Sequence, residues 1–241
     1  QIMITALLGL AVSVLFFFII KSICVPKKVD GIKKYLKQGK TQAAIKLAKQ
    51  ILSKTPDNYL AHYYLGKAYL ADNRGELALM EFKMVNEHAI FDDDLPELDF
   101  RKESARLYLK FNQHTDALRE FLLLTKMDTR NGDNFYNVGK LYEEEHRADL
   151  AVGFYKKAVQ TDPRNSKAHA AMGLLLFQTK QFSDAKKEID LSLSISPETF
   201  SNYYYLGKIF KESKDYPGAI KAFEKAQRDN DYRQKALIER G

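Results

Sequence analysis

The apolar residues of this chain fall into short helical stripes that recur with a fixed period. Within 59–92, Tyr63, Tyr64, Leu65, Tyr69 and Leu70 suit one helix, and Leu77, Ala78, Phe82 and Val85 lie at helical spacing on a second. Asn73, Arg74 and Gly75 break the chain between them. Alanines at 44, 78, 117, 151, 185 and 219 then repeat at intervals of 34, 39, 34, 34 and 34 residues. Gly66, Ala105, Gly139, Gly173 and Gly207 form a second ladder, each 12 residues before its alanine. A third is the turn tetrad Thr55-Pro56-Asp57-Asn58, echoed at Asp128 to Asn131, Asp162 to Asn165 and Ser196 to Thr199. The ladders agree on one five-residue insertion between 79 and 104.

Such a pattern predicts helix pairs. Small residues at 66 and 78 let two backbones approach, and large residues at 69 and 82 fill the space beside them. The tetrads are expected to cap the next helix with Asp, Asn or Ser and to place proline in its first turn. One pair of this length buries too little to be stable alone, so the pairs must stack.

Composition changes the picture at the N-terminus. Residues Ile2 to Ile20 carry no charged side chain. Nineteen residues at helical rise span about 28 Å, close to a bilayer's hydrocarbon core. Leu15 to Ile20 is apolar on every face, unlike an amphipathic core helix, and Lys21 to Cys24 makes a poor cleavage site for a signal peptide. A retained transmembrane anchor over 1–21 is expected. The net charge is +7, but residues 21–54 contribute +9 through ten lysines and Asp30, and 55–241 sum to −2. The excess is therefore juxtamembrane. It suits anionic headgroups and places the repeats in the cytoplasm by the positive-inside bias, unless residues before Gln1 are more basic and reverse the topology to periplasmic. No basic stripe follows the repeats, which argues against a nucleic-acid partner. The single cysteine, Cys24, allows no internal disulfide, and there is no Asn-x-Ser/Thr sequon.

The repeat resembles the tetratricopeptide repeat. Gly139, Tyr142, Ala151, Tyr155, Ala158 and Pro163 fit its small, aromatic, alanine, aromatic, alanine and proline positions, and Gly207, Phe210, Ala219, Phe223 and Ala226 repeat them. Departures are Ile32 at a small-residue position and Ile189 at an aromatic one. The resemblance implies an all-α fold: an N-terminal transmembrane helix followed by a right-handed α-solenoid of about six helix pairs over 22–233. The units are 25–58, 59–92, 98–131, 132–165, 166–199 and 200–233, and 234–241 starts a capping helix or a further unit. Anchor, lysine-rich step and repeats together resemble the family of the bacterial lipopolysaccharide assembly protein B, without its zinc-binding C-terminal cysteines. A bacterial inner-membrane location follows from that resemblance.

Chemistry is sparse. There is no phosphate-binding glycine loop, no His-Glu-x-x-His pair and no nucleophile elbow. His62 and His169 share a phase that is packed between helices, while His114 and His146 fall in turns within a unit. Asp94 to Glu97 reads as a capping box rather than a metal loop. No enzyme, cofactor or metal is expected. In the tetratricopeptide family the first helices line a concave groove, and the resemblance implies that phases 2, 5, 6, 9 and 12 of each unit face it. Phase 9 holds Lys67, Arg106, Lys140, Leu174 and Lys208, and phase 5 holds Tyr63, Lys102, Tyr136, Ala170 and Tyr204. Alternating tyrosines and cations suit an acidic or carboxylate-ended peptide. The family's two-carboxylate clamp is matched by Lys102, Asn137 and Lys167, with Arg106 and Ala171 departing from it. The expected function is a membrane-anchored scaffold that binds partner segments in this groove. The alternatives are a permanent subunit of a membrane assembly and a contact regulator of a membrane enzyme.

Overall fold

The computed structural model describes residues 29–240, so the apolar run 2–20 lies outside the described residues. Among the described residues there are thirteen α-helices and no strand, and no helix is long and apolar enough to cross a membrane. A helix over 29–37, α1, is followed by α2 (Thr41–Leu52), α3 (Tyr59–Ala71), α4 (Gly75–His88) and α5 (Glu97–Lys110). Then come α6 (His114–Met127), α7 (Gly132–Glu144), α8 (Ala148–Thr161), α9 (Ser166–Gln178), α10 (Phe182–Ile195), α11 (Phe200–Glu212), α12 (Tyr216–Ala226) and α13 (Arg233–Arg240). The chain divides into two compact units after Gln113. In the first, α3 pairs with α4, with α2 against α3 and α5 against α4. In the second, the pairs are α7–α8, α9–α10 and α11–α12, flanked by α6 and α13, and the first helices α7, α9 and α11 touch in sequence.

The small-residue ladder is where the two helices of a pair meet. A Cβ on Gly66 would lie 2.6 Å from the Phe82 ring, and one on Gly139 2.6 Å from Tyr155. At Gly173 it would lie 2.6 Å from Ile189 Cγ1, and at Gly207 2.7 Å from Phe223. The departure at Ile189 is thus accommodated, because the smaller side chain still fills the notch. The alanine ladder is buried throughout.

Each pair turns through one residue in the left-handed region: Gly39, Asn73, Asn112, His146, Lys180 and Lys214, with φ between 53° and 69°. These positions repeat with the same spacing as the alanines. The break in 73–75 is therefore made by Asn73, not Gly75. Gly75 opens α4, and its bareness admits the ring of Phe111.

Two expectations about helix starts are corrected. Asn58, Asn131 and Asn165 do cap α3, α7 and α9 through their side chains. The tetrad prolines Pro56, Pro163 and Pro197, however, lie before the caps, outside the following helix. Lacking an N–H, proline there ends the preceding helix rather than starting the next. Nor does Asp94 form a capping box. Pro96 takes the cap position of α5 with no side-chain bond, Glu97 accepts from Arg101, and Asp92 Oδ1 accepts from the backbone of Asp94 and Leu95.

Gly173→Leu should overpack the α9–α10 contact and cost about 1–3 kcal/mol, read as a lower denaturation midpoint. An unmoved midpoint would show that the helices do not meet there. Lys180 has φ 61°, so Lys180→Gly should relieve backbone strain and raise stability by about 0.5 kcal/mol after the unfolded-state entropy of glycine is set against it. Lys180→Val should lower it; the reverse order in thermal melts would contradict the turn geometry.

Candidate functional site

The first helices carry the sequence-predicted residues, and the structure sorts them into three groups. In the first unit, Tyr63 is buried and stacks on Phe82 at a centroid distance of 5.8 Å, so its hydroxyl rather than its ring face reaches outward. Lys67 Nζ lies 2.7 Å from Glu103 Oε1 and 3.3 Å from the Tyr63 hydroxyl, which donates to Glu103 Oε2 at 3.2 Å. Burial, then the nearby Glu103 carboxylate, pushes the Tyr63 phenol up to about 12. This corner is a closed cluster, with the lysine's charge matched inside the chain.

In the second unit, Lys208 Nζ donates to Glu239 Oε1 and Lys211 Nζ to Glu239 Oε2, both at 2.8 Å. Those two bonds hold the Glu239 carboxylate below its usual range. Tyr204 packs against Tyr232 at 5.1 Å, and Tyr205 and Tyr232 share a hydroxyl contact at 3.0 Å. The chain's own C-terminal helix therefore occupies the predicted surface of the last helix pair.

The third group holds the remaining residues of α5, α7 and α9, of which Lys102 and Asn137 have partners within the chain. Arg106 on α5 is exposed, and so are Lys140 on α7 and Lys167 on α9. The one ion pair of Lys140 among the described residues is a 3.9 Å contact to Glu144, one turn along its own helix. Beside it, Tyr136 packs on Tyr155 at 5.7 Å and borders the same apolar cluster as Ala171. Asn137 donates to the Asp133 carbonyl and is half-buried, as is Lys102. Sequence reasoning missed Glu103, Glu239 and Lys211. Glu103 and Glu239 share a signal that pattern alone could have supplied: both are phase 6 of the unit after a phase 9 lysine.

The histidines are structural clasps. His62 Nδ1 lies 2.6 Å from Glu81 Oε2 and Nε2 lies 2.7 Å from the Pro56 carbonyl; His169 makes the same two contacts with Glu188 and Pro163. Each ring ties the turn before a first helix to the second helix of the same pair. At His62, an acceptor on each nitrogen favours the doubly protonated ring. The hydrogen bond to Glu81, opposed by burial, raises the His62 pKa above its ordinary value. This clasp is therefore complete below about pH 6.5 and is lost as pH rises through the higher folded-state pKa. An NMR titration of the His62 ring should give a midpoint above about 6.5, and Glu81→Gln should bring it down; a midpoint unchanged in that variant would show that Glu81 does not hold the ring.

Models described as the tetratricopeptide repeat match residues 31–83 and 142–207. The C-terminal part of a TPR repeat-containing protein from Cytophaga hutchinsonii superposes with a TM-score of 0.65 at 14% identity, over 88% of this chain and 84% of that one. YrrB, a TPR protein described as having an unusual peptide-binding site, superposes with a TM-score of 0.59 at 16% identity, over 79% and 96%. At these identities the likeness speaks for the fold. A UDP-N-acetylglucosamine–peptide N-acetylglucosaminyltransferase of Giardia intestinalis is 26% identical over 106 residues, which is 43% of this chain and 7% of that enzyme. The chain spans 7 to 29% of the length of the curated relatives it matches. Family models and fold together identify an all-α helical-repeat chain with tetratricopeptide repeats over 31–83 and 142–207, and the same ladders run through the helices between them.

Proposed function

We propose that this chain is a non-catalytic scaffold that receives an extended or helical segment of a protein partner on its first-helix face. The observation that carries this reading is the open group of Tyr136, Lys140 and Lys167 on α7 and α9. There an aromatic ring beside two exposed lysines offers apolar area and carboxylate capture together. The peptide-binding site ascribed to YrrB gives a precedent within the fold. The apolar run 2–20 would hold the scaffold in a membrane, with the lysines of 21–54 at the headgroups and the repeats on the cytoplasmic side. That plan resembles the one of the lipopolysaccharide assembly protein B family and would place the chain in a bacterial inner membrane.

A permanent place in a larger assembly is the second reading. It is favoured by large apolar side chains exposed at the C-terminal end: Tyr216, Ile220, Leu237 and Ile238, the last 78% exposed.

A photo-crosslinking residue at Tyr136 should trap partner proteins in cells, and one at Lys157, on the second helix α8, should not. Trapping through 157 or through α13 in place of 136 would transfer the function to the assembly reading. For topology, the repeats should resist protease added to intact spheroplasts and be digested after lysis; digestion from outside would reverse the orientation.

A further inference from the structure

Three residues beyond its small-residue position, the first helix of a pair carries a ring: Tyr69, Tyr108, Tyr142 and Phe210. On α9 that place is taken by Leu176. Two of the rings mark the seam between a second helix and the next first helix. Lys49 of α2 lies over Tyr69 at 5.8 Å, and Lys186 of α10 lies over Phe210 at 5.5 Å. The residue that opens the second helix serves the same seam. In α10 it is Phe182, which packs on the cluster of Leu206 and Ile209; in α4 it is Gly75, covered by the ring of Phe111. In α8 it is Ala148. The α8–α9 seam thus lacks a ring at both positions, and a cavity of about 310 Å³ opens there with no aromatic residue in its lining. Its apolar part is Val152, Met172, Leu175 and Leu176, with Met172 and Leu175 buried. Asp149 and Lys156 line its exposed side, two turns apart on α8, and neither makes an ion pair among the described residues. Lys156 follows its ladder alanine by five residues, as Lys49 does, so it holds the place from which a cation covers a ring.

We propose that a partner protein inserts an aromatic side chain into the α8–α9 seam. The ring of a Phe, Tyr or Trp would rest on Met172 and Leu176 beneath the Lys156 ammonium, and a Lys or Arg close to it in the partner's sequence would pair with Asp149. Seven residues of helix set Asp149 and Lys156 about 10 Å apart, the reach of about three extended residues, so the basic residue lies within three positions of the ring. Burial of the ring removes apolar area from water, and the cation over its face adds an electrostatic attraction. None of Tyr136, Lys140 and Lys167 lines the cavity, so this contact is separate from the first-helix face; nor does Lys157, whose ammonium lies over Phe154.

The other seams supply the test, because the chain can be made to fill its own gap. Leu176→Tyr gives α9 the ring that its sister helices carry, and Ala148→Phe copies the start of α10. A random dodecapeptide library displayed on phage is selected on the full chain in mild detergent, and the strongest binder is titrated as a synthetic peptide. The selected peptides should share an aromatic residue with a Lys or Arg within three positions. Changing that aromatic to Ala should weaken binding about ten- to hundredfold, and so should Leu176→Tyr and Ala148→Phe in the chain. Lys156→Gln leaves the packing alone and should weaken binding about two- to thirtyfold, so the test stands even if a filled seam melts early. Asp149→Lys should turn the selection from Lys and Arg toward Asp and Glu. Selected peptides without the shared ring, ring-bearing peptides held equally well by Lys156→Gln and the filled-seam variants, or no selected peptide at all would overturn the inference. A peptide lost in Lys140→Glu but held by every seam variant would overturn it too, while leaving the first-helix face as the site of binding.

Discussion

The structure depends on the close approach of two helices inside each pair. A glycine on the first helix leaves a notch, and one large side chain from the second fills it: Phe82 against Gly66, Tyr155 against Gly139, Ile189 against Gly173 and Phe223 against Gly207. With no Cβ in the way, the backbones come near enough for the buried alanine ladder to touch as well. The short turn that this approach needs is closed by one residue in the left-handed region, six times over, and only at Gly39 is that residue a glycine. The other five positions carry backbone strain that the packing on either side must overcome.

Once the pairs are locked, neighbouring first helices are held side by side, and their exposed charges meet. Lys67 and Lys208 are neutralised by glutamates two helices on, whereas Lys140 pairs with Glu144 of its own helix. A face that reads by residue type as tyrosines alternating with cations thus holds, within each unit, a lysine already paired to a glutamate of the same chain. The C-terminal helix α13 makes the same point from the other side. Glu239 of that helix, with Tyr232 just before it, packs on Lys208, Lys211 and Tyr204 of α11.

The buried histidines show how one residue can tie three segments. His62 and His169 connect the proline turn, the first helix and the second helix of their pairs through two hydrogen bonds each. The prolines thus have two uses, since proline ends one helix and lends its carbonyl to the clasp on the next. Neither use requires proline in the first helical turn, where the sequence had suggested it would lie.

What the sequence determined by itself was register. The spacing of the small residues, the alanines and the tetrads was enough to place helix pairs, their turns and the inserted residues, because those features answer to local sterics and to a period set by helix geometry. The same register identified which side chains share the first-helix face. Only the tertiary structure decided which of those side chains remain available. Tyr63 and Lys67 are closed off by Glu103, and Tyr204 and Lys208 by Tyr232 and Glu239, across 28 to 40 residues of chain. Periodicity describes each helix against its own axis. Ion pairing and ring stacking depend on what the neighbouring helix brings within about 3–6 Å, and that is fixed by how the pairs stack.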